Sequence, residues 1–215
     1  MNVTEKQILL TAFEPFDGET ANPSLEAALA MSGVEFPGAR LAVLELPVDR
    51  FRAIEMACAR IRLMRPDVVI MLGLAVARYR ITPERVAINI DDYRIPDNLG
   101  NQPAGEPIIE GGPVGYWSTL PIRAITNRLL RARIPAAISD SAGTYLCNRL
   151  FYSVMHLLAT EQLPTIGGFI HLPYMHEQTL NKYPEVASLA RETIVEAVRL
   201  AIEVTLGIER GKNAS

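Results

Sequence analysis

The run Val68-Val69-Ile70-Met71-Leu72 consists of five consecutive apolar side chains, preceded by Pro66-Asp67 and followed by Gly73. A short apolar run between such turn-forming residues predicts a β-strand. The run shows no alternation of polar and apolar residues, which indicates burial on both faces. That pattern is typical of a strand inside a parallel sheet covered by helices on either side.

Strand-like and helix-like segments alternate along the rest of the chain. The other predicted strands cover 8–13, 41–46, 85–90, 134–138 and 166–173, and the predicted helices cover about 22–33, 49–61, 120–131, 148–160 and 184–206. This alternation predicts an α/β fold, a three-layer α/β/α sandwich whose open, twisted, mostly parallel sheet carries helices on both faces. In such folds the carboxyl ends of the strands share one functional edge. The predicted ends are Phe13, Leu72, Ile90, Ile138 and Ile170.

The composition is that of a globular protein. The 215 residues are 49% hydrophobic and 21% charged, which predicts one domain over 1–215 with a flexible polar tail at 207–215. The net charge is −3 and no block of Lys or Arg occurs, which argues against a nucleic acid partner. No apolar run has the length of a bilayer, and the first residues lack the order of a signal peptide. We therefore expect no membrane partner and a cytoplasmic location.

The sequence contains few residues or motifs of the kinds that bind metals and cofactors. Two cysteines do not form a disulfide framework, and three histidines are few for a Cys/His zinc cluster. A glycine-rich phosphate loop of the usual spacing is also missing from the sequence. We expect no metal and no cofactor.

The segment Ser139-Asp140-Ser141-Ala142-Gly143-Thr144-Tyr145-Leu146-Cys147 joins a predicted strand to a predicted helix. A cysteine in the first turn of a helix lies near free N–H groups and a partial positive charge, which favour the nucleophilic thiolate. We expect Ser141 or Thr144 to cap this helix. Cys147 also shares helical spacing with Leu150 and Phe151, so a small core residue is an equally open interpretation. Cys58, on the helical stripe of 49–61, is predicted to be core packing.

A cysteine nucleophile needs a base, commonly histidine. His156 follows Cys147 by nine residues, which places it on the opposite side of the same helix at about 100° per residue. His176 falls in a predicted loop. His171 ends a predicted strand at the functional edge and is the best partner, although a histidine that simply packs at a strand end fits equally well. The residues alone do not choose an acidic partner among Glu84, Asp91, Asp92 and Asp97.

Five segments resemble one known family, the pyroglutamyl peptidases, which are cysteine peptidases. The resemblance covers nearly the whole chain, and its segments together are highly specific. They are LLTAFEPFDG at 9–18, ITPERVAINIDD at 81–92, RIPDN at 94–98, SAGTYLCN at 141–148 and FIHLP at 169–173.

The resemblance implies a triad of Cys147 as nucleophile, His171 as base and acid, and Glu84 as the residue that orients the histidine. It implies removal of an N-terminal pyroglutamyl residue from small blocked peptides through a thioester, help from Arg94 in holding the oxyanion, and a homodimer or homotetramer. We expect the substrate pocket to be apolar because the head group is small, flat and uncharged. Its predicted walls are Phe13 and Phe16 in a loop at the edge of the sheet, with Val48, Tyr145 and Leu146 implied by the family.

One loop departs from the family. Where the family usually reads Gly-Gly-Arg, this chain reads Ala75-Val76-Ala77-Arg78, and Leu74 replaces a polar residue found in some members. Two rival hypotheses remain at this point. One is a nucleoside-processing transferase on a similar sheet, and the other is a protein that binds pyroglutamyl groups without turning them over.

Overall fold

A computed structural model of the chain describes residues 5–76, 78–182 and 185–208. The strands are β1 (Lys6–Phe13), β2 (Ala39–Leu46), β3 (Val68–Leu74), β4 (Thr82–Pro83), β5 (Val86–Ile88), β6 (Gly115–Trp117), β7 (Ile166–Leu172), β8 (Tyr174–Met175) and β9 (Ser188–Leu189). The helices are α1 (Pro23–Met31), α2 (Arg52–Met64), α3 (Ile122–Arg131), α4 (Leu146–Thr160), α5 (His176–Thr179) and α6 (Arg191–Leu206).

The central sheet has five strands in the order β2-β1-β3-β7-β4. β1 pairs in parallel with β2 and β3, and β3 pairs in parallel with β7. Only the short edge strand β4 runs antiparallel to its neighbour in this sheet. The predicted strand at 68–72 is therefore the middle strand of a mostly parallel sheet, and every residue of β3 is buried.

Both faces of the sheet are covered by helices. Along β1, Ile8 and Leu10 pack with α1, α3 and α6, whereas Leu9 and Phe13 pack with α2 and α4. This division follows from the period of two in a strand, which sends successive side chains to opposite faces. Two separate apolar clusters result, and the three-layer α/β/α sandwich predicted from the sequence is confirmed.

Two predicted strands are wrong in extent or placement. Residues 134–138 form only an isolated parallel bridge between Ala136 and Ile81, because Pro135 has no N–H to donate and the pairing stays local. The predicted strand at 85–90 shortens to β5, which pairs with β6 in a separate two-stranded sheet.

The ends of the chain also differ from the predictions. The last helix begins at Arg191 rather than near Pro184, and Pro184 itself lies outside the described residues. The helix ends at Gly207, whose φ of 73° is the left-handed conformation that glycine adopts readily. Most of the predicted tail, from residue 209 onward, also lies outside the described residues. Across 5–76, 78–182 and 185–208, none of the helices has the length and apolar character needed to span a bilayer.

Candidate active site

β4 and β7 bring a histidine and a carboxylate together at the edge of the sheet. Thr82 pairs with His171 across the two strands, and the backbone N–H of Glu84 donates to the carbonyl of Phe169 at 2.9 Å. Because Glu84 lies two residues after Thr82, its side chain points to the same face of the sheet as His171. His171 Nδ1 lies 2.7 Å from Glu84 Oε1.

This hydrogen bond fixes the roles of the two imidazole nitrogens. An ionised carboxylate only accepts hydrogen bonds, so the Nδ1–H of His171 donates the hydrogen bond to Glu84. Nε2 then carries no proton and can accept one. Glu84 is fully buried and His171 is 4% exposed, so the pair is shielded from bulk water. Burial lowers the pKa of His171 and so favours the neutral ring, whereas its hydrogen bond and charge interaction with Glu84 act in the opposite direction.

Gly73 shows how close Cys147 lies to this pair. In the parallel register of β3 and β7, Gly73 is directly opposite His171. A Cβ added at Gly73 would lie 2.8 Å from Cys147 Sγ and 2.7 Å from Phe169 Cζ. The cysteine sulfur therefore occupies the space above Gly73, on the same face of the sheet as His171 and one strand away.

Cys147 is the second residue of α4, in the first turn as predicted from the sequence. The predicted cap is wrong, because Tyr145 occupies the N-cap position without a side-chain hydrogen bond. The hydroxyl of Thr144 instead donates to the carbonyl of Asp92 at 2.7 Å, and Ser141 Oγ accepts from the N–H of Gly143 at 3.2 Å. Both contacts order the segment that leads into the helix.

The surroundings of Cys147 act against the thiolate that its place in the first turn of a helix favours. Burial and the nearby Glu84 carboxylate raise the pKa of Cys147 to about 12, with Arg78 and the N–H of Cys147 acting against them. Both shifts favour the neutral forms, the thiol of Cys147 and the imidazole of His171. A thiol must lose its proton to a base as the sulfur attacks, and His171 lies on the same face of the sheet as Cys147, one strand away.

Cys147 and His171 both line an open cleft with a volume of about 300 Å³. The loop after β3 contributes Val76 and Arg78 to its wall, and the loop after Asp91 contributes Asp92 and Arg94. Arg94 is exposed and lines the cleft. The long loop at 91–115, which has little regular structure, is held against the start of α4 and shapes the site.

A smaller cavity of about 40 Å³ adjoins the cleft and also reaches Cys147. All five residues predicted for the substrate pocket line it: Phe13, Phe16, Val48, Tyr145 and Leu146. Leu74 and Asn22 complete the lining, but the Asn22 side chain is already used by Ser24 and by the carbonyl of Glu14. The cavity is therefore mainly apolar.

Of the other candidates, Asp92 lines the same cleft, whereas the remaining ones lie away from this centre. Asp91 and Asp97 bond to arginines or backbone groups away from His171. His156 lies 2.8 Å from the hydroxyl of Tyr116, and His176 lies 2.8 Å from Ser188 Oγ. Cys58 packs beside the α2–α4 cluster, as predicted. In the part of the chain that the structure describes, no group of three or more His, Cys, Asp and Glu is placed to hold a metal ion.

Arg78 is the residue of the site that the sequence did not reveal as a participant. Its guanidinium donates from Nη1 to Glu84 Oε1 at 2.5 Å. Its only signal in the sequence is its place at the end of the loop where the family reads Gly-Gly-Arg. Ala77, within that departure, lies outside the described residues.

An α/β sandwich that places a cysteine, a histidine and a buried carboxylate around one cleft is characteristic of a cysteine-dependent hydrolase. Similarity to known proteins identifies one family within this class. The sequence profile of the pyroglutamyl peptidase family matches residues 6–207. A pyrrolidone-carboxylate peptidase of Brevibacillus brevis is 47% identical over 205 residues, which cover 95% of this chain and 95% of that protein.

Solved structures agree with the sequence matches. Pyroglutamyl peptidase I from Bacillus amyloliquefaciens superposes with a TM-score of 0.90 at 43% identity and covers 94% of this chain and 95% of its own. The pyrrolidone carboxyl peptidase of Thermococcus litoralis gives a TM-score of 0.91 at 41% identity over 94% of each chain. The chain belongs to the pyroglutamyl peptidase family, which supports the peptidase hypothesis and gives no support to the transferase hypothesis.

Proposed function

We propose that this protein is a cysteine exopeptidase that hydrolyses the amide bond after an N-terminal pyroglutamyl residue. The observation that carries the proposal is the arrangement of Cys147, His171 and Glu84 beside a small apolar cavity in a member of this family. The proposed substrates are small peptides whose N-terminus is blocked by the lactam ring. The proposed enzyme is a single domain that acts in the cytoplasm as a homodimer or homotetramer.

The first half of the reaction forms a thioester. His171 Nε2 accepts the thiol proton of Cys147 as the sulfur attacks the carbonyl carbon of the pyroglutamyl residue. Glu84 stabilises the resulting imidazolium through its bond to Nδ1. The tetrahedral intermediate then collapses, His171 gives its proton to the leaving amine, and the shortened peptide departs.

The second half of the reaction hydrolyses the thioester and regenerates the free enzyme. A water molecule gives one proton to His171 Nε2 and attacks the thioester carbonyl, and the Cys147 sulfur leaves and regains the proton. The products are free pyroglutamate and the resting thiol. Since the same imidazole serves as base and acid in both halves, the proposal requires no metal and no cofactor.

The negative charge on the carbonyl oxygen needs donors near Cys147. The first N–H groups of α4 lack carbonyl partners within the helix, because the regular bonds begin one turn later. Together with Arg94, which lines the cleft, they form the proposed oxyanion site. Positive charge and oriented dipoles favour the intermediate over the uncharged substrate.

The two cavities suit the two halves of the substrate. The smaller one is apolar and reaches Cys147, so we assign it the flat, uncharged lactam ring. The open cleft continues from Cys147 past Val76 and Arg94, and we assign it the peptide that follows the bond. Leu74 offers no polar group to the lactam, so backbone groups provide its hydrogen bonds.

Turnover of a pyroglutamyl-amide reporter tests this function. Wild type should release the amine, and Cys147→Ala should lower kcat/KM by about 1,000-fold or more because no thioester can form. Cys58→Ala is the matched control and should keep full activity. Tight binding of pyroglutamate without turnover by wild type would favour the binding-protein hypothesis, and near-normal turnover by Cys147→Ala would reject the mechanism.

A further inference from the structure

The side chain of Arg78 links three segments around the proposed active site. Besides its bond to Glu84, Nη1 donates to the hydroxyl of Thr82 at 2.6 Å. Nη2 donates to the carbonyl of Ser141 at 2.8 Å. One guanidinium thus joins the loop after β3, the edge strand β4 and the segment that leads to Cys147.

Glu84 depends on this arginine for its charge partner. The carboxylate is fully buried, and its Oε2 has no hydrogen-bond partner among the described residues. Oε1 accepts from both Arg78 and His171. A buried carboxylate without a paired cation is costly, and a neutral imidazole cannot supply that charge. Arg78 is the guanidinium in contact with this carboxylate.

We propose that Arg78 is a positioning residue that holds the Glu84 carboxylate in place for His171 and ties it to the segment carrying Cys147. The inference rests on the proposed peptidase function, because it assigns a role within that site. Arg78 is 28% exposed at its side chain and lines the cleft, yet all of its described polar contacts point to protein groups. It acts through Glu84 and His171 rather than as the oxyanion donor, the role assigned to Arg94.

The charge of Arg78 also reaches both proton-transfer groups. Among the influences on the pKa of His171, Arg78 lowers it, and it lowers the pKa of Cys147 as well. The other charged or titratable groups facing this region are Glu84 behind His171, and Asp92, Arg94 and Tyr145 along the cleft. Removing the charge at residue 78 should therefore raise both pKa values and move activity to higher pH.

The test compares Arg78→Gln, Arg78→Lys and the exposed neighbour Arg80→Gln in pH profiles of kcat/KM. We expect Arg78→Gln to lower kcat about 10- to 100-fold, because a small displacement of the reacting groups costs up to about 100-fold in rate. The acid limb of its pH profile, where kcat/KM falls as the pH drops, should move to higher pH, and KM should change little. Arg78→Lys should restore the limb while kcat stays reduced, since a compact ammonium cannot reproduce the spacing of Nη1 and Nη2 that reaches Glu84, Thr82 and Ser141. Arg80→Gln should match wild type.

A second pair of variants, Thr82→Val and Thr82→Ser, tests the inference if Arg78→Gln does not fold. Thr82→Val removes one acceptor of Arg78 and should lower kcat about threefold, whereas Thr82→Ser should restore it. An acid limb in Arg78→Gln that coincides with wild type, or Thr82→Val at full activity when Arg78→Gln does not fold, would overturn the inference.

Alkylation of Cys147 separates this inference from the proposed function. In a Cys58→Ala background, iodoacetamide reports Cys147 alone and needs no turnover. Arg78→Gln should slow alkylation at pH 8, and Arg78→Lys should restore the rate. Slowed alkylation in a chain that turns over no pyroglutamyl substrate would reject the function and keep the inference. An unchanged alkylation rate in an active enzyme would reject the inference and keep the function.

Discussion

Glu84 and Asp91 are two carboxylates with the same burial and different surroundings. Both are 0% exposed, and both use a single oxygen to meet an arginine. In each, the second oxygen, Glu84 Oε2 or Asp91 Oδ1, has no hydrogen-bond partner within the described ranges. Burial and an arginine therefore do not by themselves distinguish a functional carboxylate from a structural one.

The difference lies in what else each carboxylate touches. Glu84 also accepts from His171, whose ring lines an open cleft. Asp91 Oδ2 meets two guanidinium groups, that of Arg149 and that of Arg50, whose Nε lies at 3.1 Å. Arg149 further donates to the carbonyl of Arg50 at 2.7 Å. The Asp91 cluster fastens a loop to α4, whereas the Glu84 cluster ends at a group that can carry a proton.

Replacement of Glu84 should give the largest loss of activity. Glu84→Gln keeps the shape but leaves the imidazolium without a negative partner, so kcat/KM should fall roughly 100- to 10,000-fold. Steady-state kinetics on the pyroglutamyl-amide reporter measure the loss. Activity within threefold of wild type would show that His171 is not oriented by this carboxylate.

Replacement of Asp91 should act on stability instead. Asp91→Asn leaves the buried Arg149 and the half-buried Arg50 without their shared anion, although Arg50 keeps Glu106 as a second partner. The free energy of unfolding should fall by roughly 3 to 5 kcal/mol. Urea unfolding measures this change, and activity per folded molecule below the transition should stay near wild type. A stable Asp91→Asn protein without activity would reverse the assignment of the two carboxylates.

Substitution of Gly73 tests the position of Cys147 Sγ beside the Glu84–His171 pair. Gly73→Ala places a methyl group in van der Waals conflict with Cys147 Sγ and Phe169. Moving the sulfur away from His171 should lower kcat about 10- to 100-fold. Gly33→Ala is the control, because a Cβ there meets no atom within 4 Å. Full activity in Gly73→Ala would place the sulfur elsewhere.

The pH dependence of activity should distinguish the Glu84 cluster from the Asp91 cluster. Of these predictions it involves the smallest change in rate. Since burial lowers the pKa of His171 in the free enzyme, the acid limb of kcat/KM should fall below the ordinary histidine value of about 6.5. Activity is lost as the pH drops through this limb, because protonated Nε2 cannot accept the thiol proton. Asp91→Asn should leave the limb in place, and a shift in that variant would show that the clusters are coupled.

The sequence predicted elements whose signal is local. The apolar run in β3, the cysteine in the first turn of α4 and the histidine at the end of β7 all follow from patterns within a few residues. The resemblance to the family then selected Glu84 from acidic residues that spacing could not separate. The structure brings Glu84 and His171 within hydrogen-bond distance, as that selection requires.

What the sequence did not predict depends on contacts between distant segments. Arg78 reaches Glu84 and Ser141 only because β4 and the loop before α4 come together in three dimensions. The raised pKa of Cys147 follows from burial against the sheet, which outweighs the helix end that favours thiolate. Pro135 interrupts the apolar segment 134–138, so the pairing there is a single bridge where the apolar pattern predicts a strand.

Trapping the acyl-enzyme tests the central claim most directly. Wild type should be mixed with a pyroglutamyl-amide, quenched in acid within the first turnover, digested and examined by mass spectrometry. We predict one added pyroglutamyl group on the peptide that contains Cys147, and none in Cys147→Ala. A pyroglutamyl group on any other residue, or full turnover by Cys147→Ala without a covalent intermediate, would contradict the account.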